Sequence, residues 1–404
     1  MPSVASHLSR RLVLQLGGAT LLVAGAGAVS VVALTASVVE SDLVVYGATA
    51  AGIVAAVQAR RMGRTAVLIE PGTHLGGMTT GGLGNTDSGR VEAIGGVAGE
   101  FYQRIHAAYE GATVTGVAPA RFTFEPHVAR AVFDDMLAEA GVAVYTGLRL
   151  REVNRRGTRI VEIVTDNGQQ FRAAMFIDAS YEGDLMDRAG VAWVIGREGN
   201  AAYEETGNGV QLGQTHQFRM SVSPFRVPND PASGLLPGIS PSVAPNGTPD
   251  RRTQAYNFRM CLTQAPDRIR FAKPAGYDPS AYELLWRYVQ AGYRGPFFNT
   301  ISVGGGKNDA NNSGAFSTDH IGANHGYPTA GPALRDSIVA EHRTYQQGLM
   351  WLLANDARLP PSIRDATSAW GLAPGARPIS CRKKFPSARP DDDATAFPVP
   401  SAQA

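Results

Sequence analysis

The stretch from Asp42 to Glu70 constrains the fold more than any other part of the chain. It reads as an apolar run, Leu43-Val44-Val45-Tyr46, a turn of small residues, Gly47-Ala48-Thr49-Ala50-Ala51-Gly52, and a helical pattern from Ile53 to Met62 stopped by Gly63. A second apolar run, Thr65-Ala66-Val67-Leu68-Ile69, then ends on Glu70. Strand, loop, helix and strand in this order make a parallel βαβ unit. Gly47 permits a tight turn and Gly52 permits close packing of helix on strand, so that the N–H groups of the helix start face a pyrophosphate. Glu70 follows the first glycine by 23 positions, where an acidic side chain grips the ribose hydroxyls of an adenine dinucleotide. The middle glycine of the Gly-x-Gly-x-x-Gly pattern is Thr49. Its hydroxyl could donate to a phosphate oxygen, while its side chain keeps the backbone at a greater distance.

With 404 residues, the chain is long enough for two or three structural units at roughly 100 to 200 residues each. A hydrophobic content of 44% against 18% charged residues excludes a coiled coil and a charge-rich disordered chain. The 37 basic and 35 acidic residues are interspersed and leave a net charge of +2, which gives no basis for a nucleic-acid partner. Cys261 and Cys381 are the two cysteines. Four thiolates for an iron–sulfur cluster are therefore lacking within one chain, no zinc or other metal site is expected, and both cysteines are read as free thiols.

Two further segments point to the kind of dinucleotide. After Glu70 comes Pro71-Gly72-Thr73-His74-Leu75-Gly76-Gly77-Met78-Thr79-Thr80-Gly81-Gly82-Leu83-Gly84, a loop suited to run along a cofactor with its backbone amides exposed. A nicotinamide-binding unit would normally continue into another crossover helix here. Later, Val142-Ala143-Val144-Tyr145 reads as a strand, and Ile160 to Phe171 as a hairpin turning at Asp166-Asn167-Gly168. This meander leads to Phe176-Ile177-Asp178-Ala179-Ser180, a strand that stops on small residues before Tyr181-Glu182-Gly183-Asp184.

Residues 42 to about 372 resemble the FAD-dependent oxidoreductases with a glutathione-reductase-type FAD fold that are common among exported bacterial proteins. Some of their relatives carry a xanthan-lyase label, and the flavin part of the heterodisulfide reductase flavin subunit is more distantly similar. The strings that carry the resemblance are His74-Leu75-Gly76-Gly77-Met78, Gly81-Gly82-Leu83-Gly84-Asn85-Thr86-Asp87, Gly95-Gly96-Val97-Ala98-Gly99-Glu100-Phe101-Tyr102, Phe124-Glu125-Pro126-His127 and Tyr181-Glu182-Gly183-Asp184-Leu185. The fold implied is α/β, a Rossmann-like FAD-binding domain of the two-dinucleotide-fold flavoprotein type with an inserted α+β substrate domain. Gly47, Thr49, Ala50, Gly52, Glu70, Gly76, Gly77 and Met78 are carried over as FAD contacts, with Ala179, Ser180, Gly183 and Asp184 beside them. Leu150 falls where such folds hold adenine through a backbone N–H and C=O. The iron–sulfur cluster of some relatives is not carried over, so FAD alone is implied.

Five units follow: a signal segment over 1–40, the FAD-binding domain over 41–200, a substrate domain over 201–330, a helical segment over 331–372 and a tail over 373–404. In the substrate domain, Gln254 to Thr263 reads as a strand with Tyr256, Phe258 and Met260 on one face. The polar run Asn308 to Asn312, continuing to Ser317-Thr318-Asp319-His320, suits a polyhydroxylated ligand, a cation or a solvated turn. His74, His127, Asp309 and His320 are candidates for proton transfer near a flavin, although a lone histidine is more often structural, and no catalytic residue is assigned. A helix is expected over Ser337 to Leu353.

At the N-terminus, Ser9-Arg10-Arg11-Leu12-Val13-Leu14 precedes an uncharged apolar run to Leu34 and resembles a twin-arginine export signal. Passage of an already loaded protein through the twin-arginine translocon is expected, with an uncleaved membrane anchor as the alternative. The tail carries six prolines, Lys383-Lys384 and Asp391-Asp392-Asp393 without an apolar period, a disordered composition. Sequences of the resembled family continue past the Trp-Gly-Leu string at 370–372 into a segment that closes over the flavin, so a truncated or frameshifted frame is expected. The activity implied is hydride transfer from a small or carbohydrate-like substrate to FAD, with an unidentified electron acceptor. A polysaccharide-modifying lyase-type enzyme and an inactive flavin-binding fragment are the alternatives.

Overall fold

The computed structural model describes residues 37–111 and 120–374, and the backbone of 15–16, 19–20 and 400–402. Arg10 and Arg11, Cys381 and the charged clusters of the tail lie outside the described residues.

Strand β1 (Val38–Tyr46), helix α1 (Ala50–Arg61) and strand β2 (Ala66–Glu70) form the expected βαβ unit, with β1 and β2 parallel from Leu43 opposite Ala66 to Tyr46 opposite Ile69. β1 begins at Val38, so that Val38, Val39 and Glu40, assigned from sequence to the signal segment, pair with Gln170, Phe171 and Arg172. Helix α1 starts three residues before the expected Ile53, because Thr49 caps it and frees Ala50 to take the first helical position. The chain continues through the short helix α2 (Gly77–Thr80), then α3 (Gly96–Glu110) and α4 (Pro126–Ala140), to strand β3 (Ala143–Thr146), which runs parallel to β2. The meander follows as β4 (Leu150–Arg156), β5 (Arg159–Thr165) and β6 (Gln170–Asp178).

The expected second half of the hairpin and the expected strand ending at Asp178 are one element. β6 is antiparallel to β5 over its first residues and parallel to β1 along nearly its whole length. The six strands lie in the order β3-β2-β1-β6-β5-β4. Both faces of the central strands are covered, which explains why β2 reads as an unbroken apolar run. Ala66 and Leu68 face a core with Ile53, Ala56 and Val57 of α1, Phe101 and Ile105 of α3, and Phe133 and Met136 of α4. Val67 and Ile69 face Val44, Tyr46, Ile163, Phe171 and Leu185 on the other side. Each fully buried Leu or Ile here contributes about 2 kcal/mol.

After the short helix α5 (Asp184–Arg188), the chain runs irregularly to strands β7 (Tyr256–Phe258) and β8 (Met260–Thr263), helix α6 (Glu283–Gln290), and the hairpin β9 (Phe298–Gly304) and β10 (Lys307–Asn312). Helices α7 (Pro332–Asn355) and α8 (Pro361–Ser368) and the short strand β11 (Gly371–Leu372) follow up to residue 374, and the backbone of Pro400–Ala402 pairs antiparallel with β7. The second sheet has the order β9-β10-β8-β11. The segment over 331–372 does not stand apart: Leu349, Leu352 and Leu353 of α7 share a core with Tyr282, Leu285 and Tyr288, and β11 adds an edge to β8. The expected continuous strand from Gln254 to Thr263 is broken at Arg259. Phe258 and Met260 still share a core, and Tyr256 is half-buried against the ring of Tyr327 at 5.6 Å.

Candidate functional site

The carboxyl ends of β1, β2 and β6 meet where the chain crosses from one side of β1 to the other, and open α/β sheets place their ligand crevice at such a point. Gly47 leaves β1 at φ +99°, which only glycine adopts without strain. A Cβ there would stand 2.6 Å from the Ser180 nitrogen and 2.7 Å from the Ala179 carbonyl carbon. A Cβ on Gly52 would stand 2.0 Å from the Gly47 oxygen. Both glycines are thus required by contact: the turn after β1 lies against the loop after β6 with no room for a side chain between them.

Thr49, in the place of the middle glycine, uses its hydroxyl within the protein. Oγ1 donates to the Ala179 carbonyl at 2.8 Å and accepts the Gly52 N–H at 3.3 Å. Donation to a phosphate oxygen is therefore not its role in this arrangement, because the single hydroxyl proton is engaged. The Ile53 N–H goes to the Thr49 carbonyl, which leaves the N–H groups of Ala50 and Ala51 without an acceptor among the described residues. Such first-turn donors, at the positive end of the helix dipole, are anion ligands.

Glu70 sits at the end of β2, where its Oε2 accepts the Ala48 N–H and its Oε1 the Gly72 N–H, both at 2.8 Å. Burial pushes its carboxyl up to about 7, against the pull of these two N–H donors, and Glu182 adds to the rise. The loop that follows returns to β1: the Gly76 N–H donates to the Ala48 carbonyl at 2.7 Å, and Thr49 bridges to Gly76. Gly76 (φ +96°) and Gly77 (φ +55°) open helix α2, and a Cβ on Gly76 would strike Thr80. His74 holds the Thr80 hydroxyl at 2.7 Å, a packing role.

The loop after β6 is ordered by its own polar groups. Asp178 accepts the Ser180 N–H and hydroxyl through Oδ1 and the Met186 N–H through Oδ2. Ser180 Oγ accepts the N–H groups of Gly183 and Asp184. The Asp184 carboxylate pairs with Arg335 of α7 at 2.8 Å. The Leu150 N–H, carried over as an adenine donor, goes to the Tyr46 hydroxyl at 2.9 Å. Contacts join Gly47, Thr49, Gly52, Glu70, Gly76, Gly77, Met78, Ala179, Ser180, Gly183 and Asp184 around the helix start at Ala50, whereas Leu150 is tied to the Tyr46 hydroxyl.

Beyond the crevice, Gly82 and Gly84 thread against the second sheet. A Cβ on Gly82 would stand 2.8 Å from the Arg259 carbonyl oxygen, and the Gly84 N–H donates to Asp309. Asp309 is buried and pairs with Arg259 through two contacts, Nε to Oδ1 at 3.0 Å and a terminal nitrogen to Oδ2 at 2.5 Å. Burial raises the Asp309 carboxyl and Arg259 opposes it. The polar run at 308–312 is therefore a strand with a buried ion pair, not a solvated turn.

Asp319 accepts from Asn257 and Asn312, and Asn257 also reaches Asn311, so the two ends of the run do converge in one polar network. His320 stacks on Tyr345 at 4.1 Å and contacts Glu341 at 3.2 Å. His127 lies beside Glu125, which is paired with Lys307. The four proton-transfer candidates thus occupy four different settings. Cys261 is a free thiol that burial pushes up to about 12. A cavity of about 250 Å³ between Arg197, Leu212, Asp250 and Arg252 shares no lining residue with the crevice.

Sequence reasoning passed over Tyr181, Arg335 and Arg259. Each acts on a partner at least 50 residues away, and no local pattern announces such a contact.

A sequence profile of the family described as FAD dependent oxidoreductase matches residues 42–378. No curated protein sequence matches the chain. Among solved structures, similarity is found to a thioredoxin reductase from T. acidophilum, 19% identical over 34% of this chain and 34% of that one, with a TM-score of 0.23. The L-amino acid deaminase from Proteus vulgaris is 16% identical over 40% of this chain and 53% of its own, with a TM-score of 0.31. A flavin-containing monooxygenase from Stenotrophomonas maltophilia is 19% identical over 35% and 38%, with a TM-score of 0.25. The chain spans between a third and about half the length of these structures.

Proposed function

Because the chain belongs to the FAD dependent oxidoreductase family, with FAD as its cofactor, we propose that the crevice at the ends of β1, β2 and β6 holds the adenine and pyrophosphate part of that cofactor. The observation that carries the reading is the seam between Gly47 and Ala179–Ser180, closed so tightly that only glycine fits, beside helix-start N–H groups that lack an acceptor among the described residues. In this reading the Ala50 N–H donates to a phosphate oxygen, with Gly47 and Gly52 giving the approach and Glu70 accepting from ribose hydroxyls. Gly77 offers its backbone N–H to the pyrophosphate from the second loop, while Gly76 and Met78, whose N–H groups are held by the Ala48 carbonyl and the Tyr181 hydroxyl, shape that loop and Thr49, Ala179, Ser180, Gly183 and Asp184 shape the wall opposite. FAD, when bound, supplies a two-electron acceptor for a hydride. The substrate is small or carbohydrate-like, a class that the amide-rich network of Asn257, Asn311, Asn312 and Asp319 favours because such side chains both donate to and accept from hydroxyls.

The test is an absorbance spectrum of the purified chain followed by an anaerobic sugar panel. A stoichiometric flavin that bleaches with a sugar is the expected result. A colourless protein defeats the cofactor site, and an unsaturated product without flavin reduction favours lyase chemistry instead. Export belongs to the same proposal: the loaded protein leaves through the twin-arginine translocon on Arg10-Arg11. An intact Met1 on secreted protein would contradict a cleaved signal.

A further inference from the structure

Between α5 and β7 the chain has little regular structure, but three of its stretches touch at the backbone. A Cβ on Gly196 would stand 2.2 Å from the Asp250 carbonyl oxygen, one on Gly209 2.4 Å from the Thr248 oxygen, and one on Gly199 2.8 Å from Cδ of Pro249. Arg197 and Asp250 exchange both backbone hydrogen bonds, at 2.8 and 3.1 Å. The Val210 N–H donates to the Thr248 carbonyl and the Val210 carbonyl accepts from Gly247, both at 2.8 Å. Glycine is required at these crossings by contact, and the side chains between them enclose a cavity of about 250 Å³.

Its lining divides in two. Val210, Leu212, Val243 and Ala244 make an apolar wall, and Leu212 is 60% and Val243 57% exposed. Water wets that apolar rim in the free protein, so covering it is favourable. Arg197, Asp250 and Arg252 make the polar side. Asp250 is fully engaged: Arg197 Nε donates to its Oδ1 at 3.0 Å, a terminal nitrogen of Arg197 donates to its Oδ2, and the Arg252 N–H donates to Oδ1 at 3.1 Å. The Arg197 hydrogen bond holds the Asp250 carboxyl below the ordinary range, so the two side chains are both charged and cancel.

The Arg252 charge is left over. One of its terminal nitrogens donates to Ser240 Oγ at 3.1 Å, and its Nε stands 4.0 Å from Asp250 Oδ2, beyond hydrogen-bond length. Its other terminal nitrogen has no acceptor among the described residues. The Gln211 amide nitrogen is engaged by the Asn208 carbonyl at 2.6 Å and adds no donor. A planar guanidinium fork with unused donors beside an apolar wall matches a planar anion that carries an apolar body, which is a carboxylate on a hydrocarbon chain or ring. Inorganic phosphate would leave the wall wet, and an uncharged sugar would leave Arg252 uncompensated. Pockets for drug-sized ligands measure about 300 to 1,000 Å³, so this smaller cavity takes a small molecule.

We infer that the cavity is a second ligand site, for a small apolar monocarboxylate whose carboxylate is held by Arg252 and whose body covers Leu212 and Val243. The site shares no lining residue with the crevice and stands independently of the placement of FAD there.

The experiment titrates the purified full chain, its flavin spectrum recorded beforehand, with cyclohexanecarboxylate in a calorimeter. Saturable binding of one ligand per chain is expected. Cyclohexanecarboxamide keeps the shape and removes the charge, and acetate keeps the charge and removes the body; each should bind about tenfold more weakly or worse. Arg252→Gln should weaken cyclohexanecarboxylate binding about tenfold and leave the flavin spectrum unchanged, since a hydrogen bond to a charged group is worth at least that factor. Leu212→Asp, at an exposed position, provides a second variant should Arg252→Gln fail to fold, and its carboxylate should oppose the ligand by about tenfold as well. Absence of saturable binding to wild type overturns the inference. Equal affinity for the carboxylate and the carboxamide, or an affinity that neither variant changes, overturns it too, because the ligand then lies elsewhere or is not read by Arg252.

Discussion

Thr49 shows how one side chain can alter a glycine motif without breaking it. The glycine it replaces would bring backbone closer to a phosphate, yet the hydroxyl caps α1 and ties the turn after β1 to the Ala179 carbonyl, 130 residues away. The loop walls are fixed to one another by this contact before any cofactor enters. Glu70 carries a measurable consequence of the same crowding. Its carboxyl is raised in the folded protein to about 7, above the 4.5 of the unfolded chain. Its contribution is therefore fully present below pH 4.5 and is lost as pH rises through about 7. In flavin-free protein, wild type should lose about 2 to 3 kcal/mol relative to Glu70→Gln between pH 5 and 8. Calorimetric profiles that run parallel would show that Glu70 titrates in the ordinary carboxylate range.

Among the elements, α7 has the widest reach. Arg335 and Asp336, adjacent near its N-terminus, pair with Asp184 after β6 and with Arg149 before β4. The two pairs are not equivalent, since the side chains of Arg335 and Asp184 are 16% and 19% exposed and those of Arg149 and Asp336 30% and 40%. Arg335→Ala should cost about 2 kcal/mol and raise the Kd for FAD. Arg149→Ala should cost less than about 1 kcal/mol. Equal losses in chemical unfolding would contradict this ranking. The same helix shows what was legible beforehand. Its apolar period begins at Ile338, so the expected start was Ser337, whereas Pro332 opens it with a fixed φ and no N–H to satisfy. The βαβ unit was readable because strand period, turn glycines and acid lie within 30 residues and each reports on local backbone. The identity of β6 as partner to both β1 and β5 was not, because register between distant strands leaves no mark in either sequence.

On the scale of the whole molecule, the two sheets are joined at a buried charge. Asp309 lies in β10 of the second sheet and Arg259 at the break just before β8, yet Gly82 rests on the Arg259 backbone and Gly84 donates to Asp309. The pair escapes the sequence because its members are 50 residues apart, Arg259 in a stretch that reads as a strand and Asp309 in a separate polar run. Asp309→Asn leaves the Arg259 guanidinium buried without a counter-charge and should destabilise the protein by about 3 to 5 kcal/mol. The loss should appear in both regions together. A calorimetric trace in which only one part of the protein melts earlier would show that the sheets fold independently.

Strand β1 lies at the centre of the first sheet, but its two neighbours are made at very different times. β2 follows at once, whereas Val38 waits 132 residues for Gln170, the start of β6. At roughly 5 to 20 residues per second, a ribosome takes roughly 7 to 26 s to supply that second neighbour. Through this interval the nascent chain displays an open strand edge, for which a chaperone or a second emerging copy competes with β6.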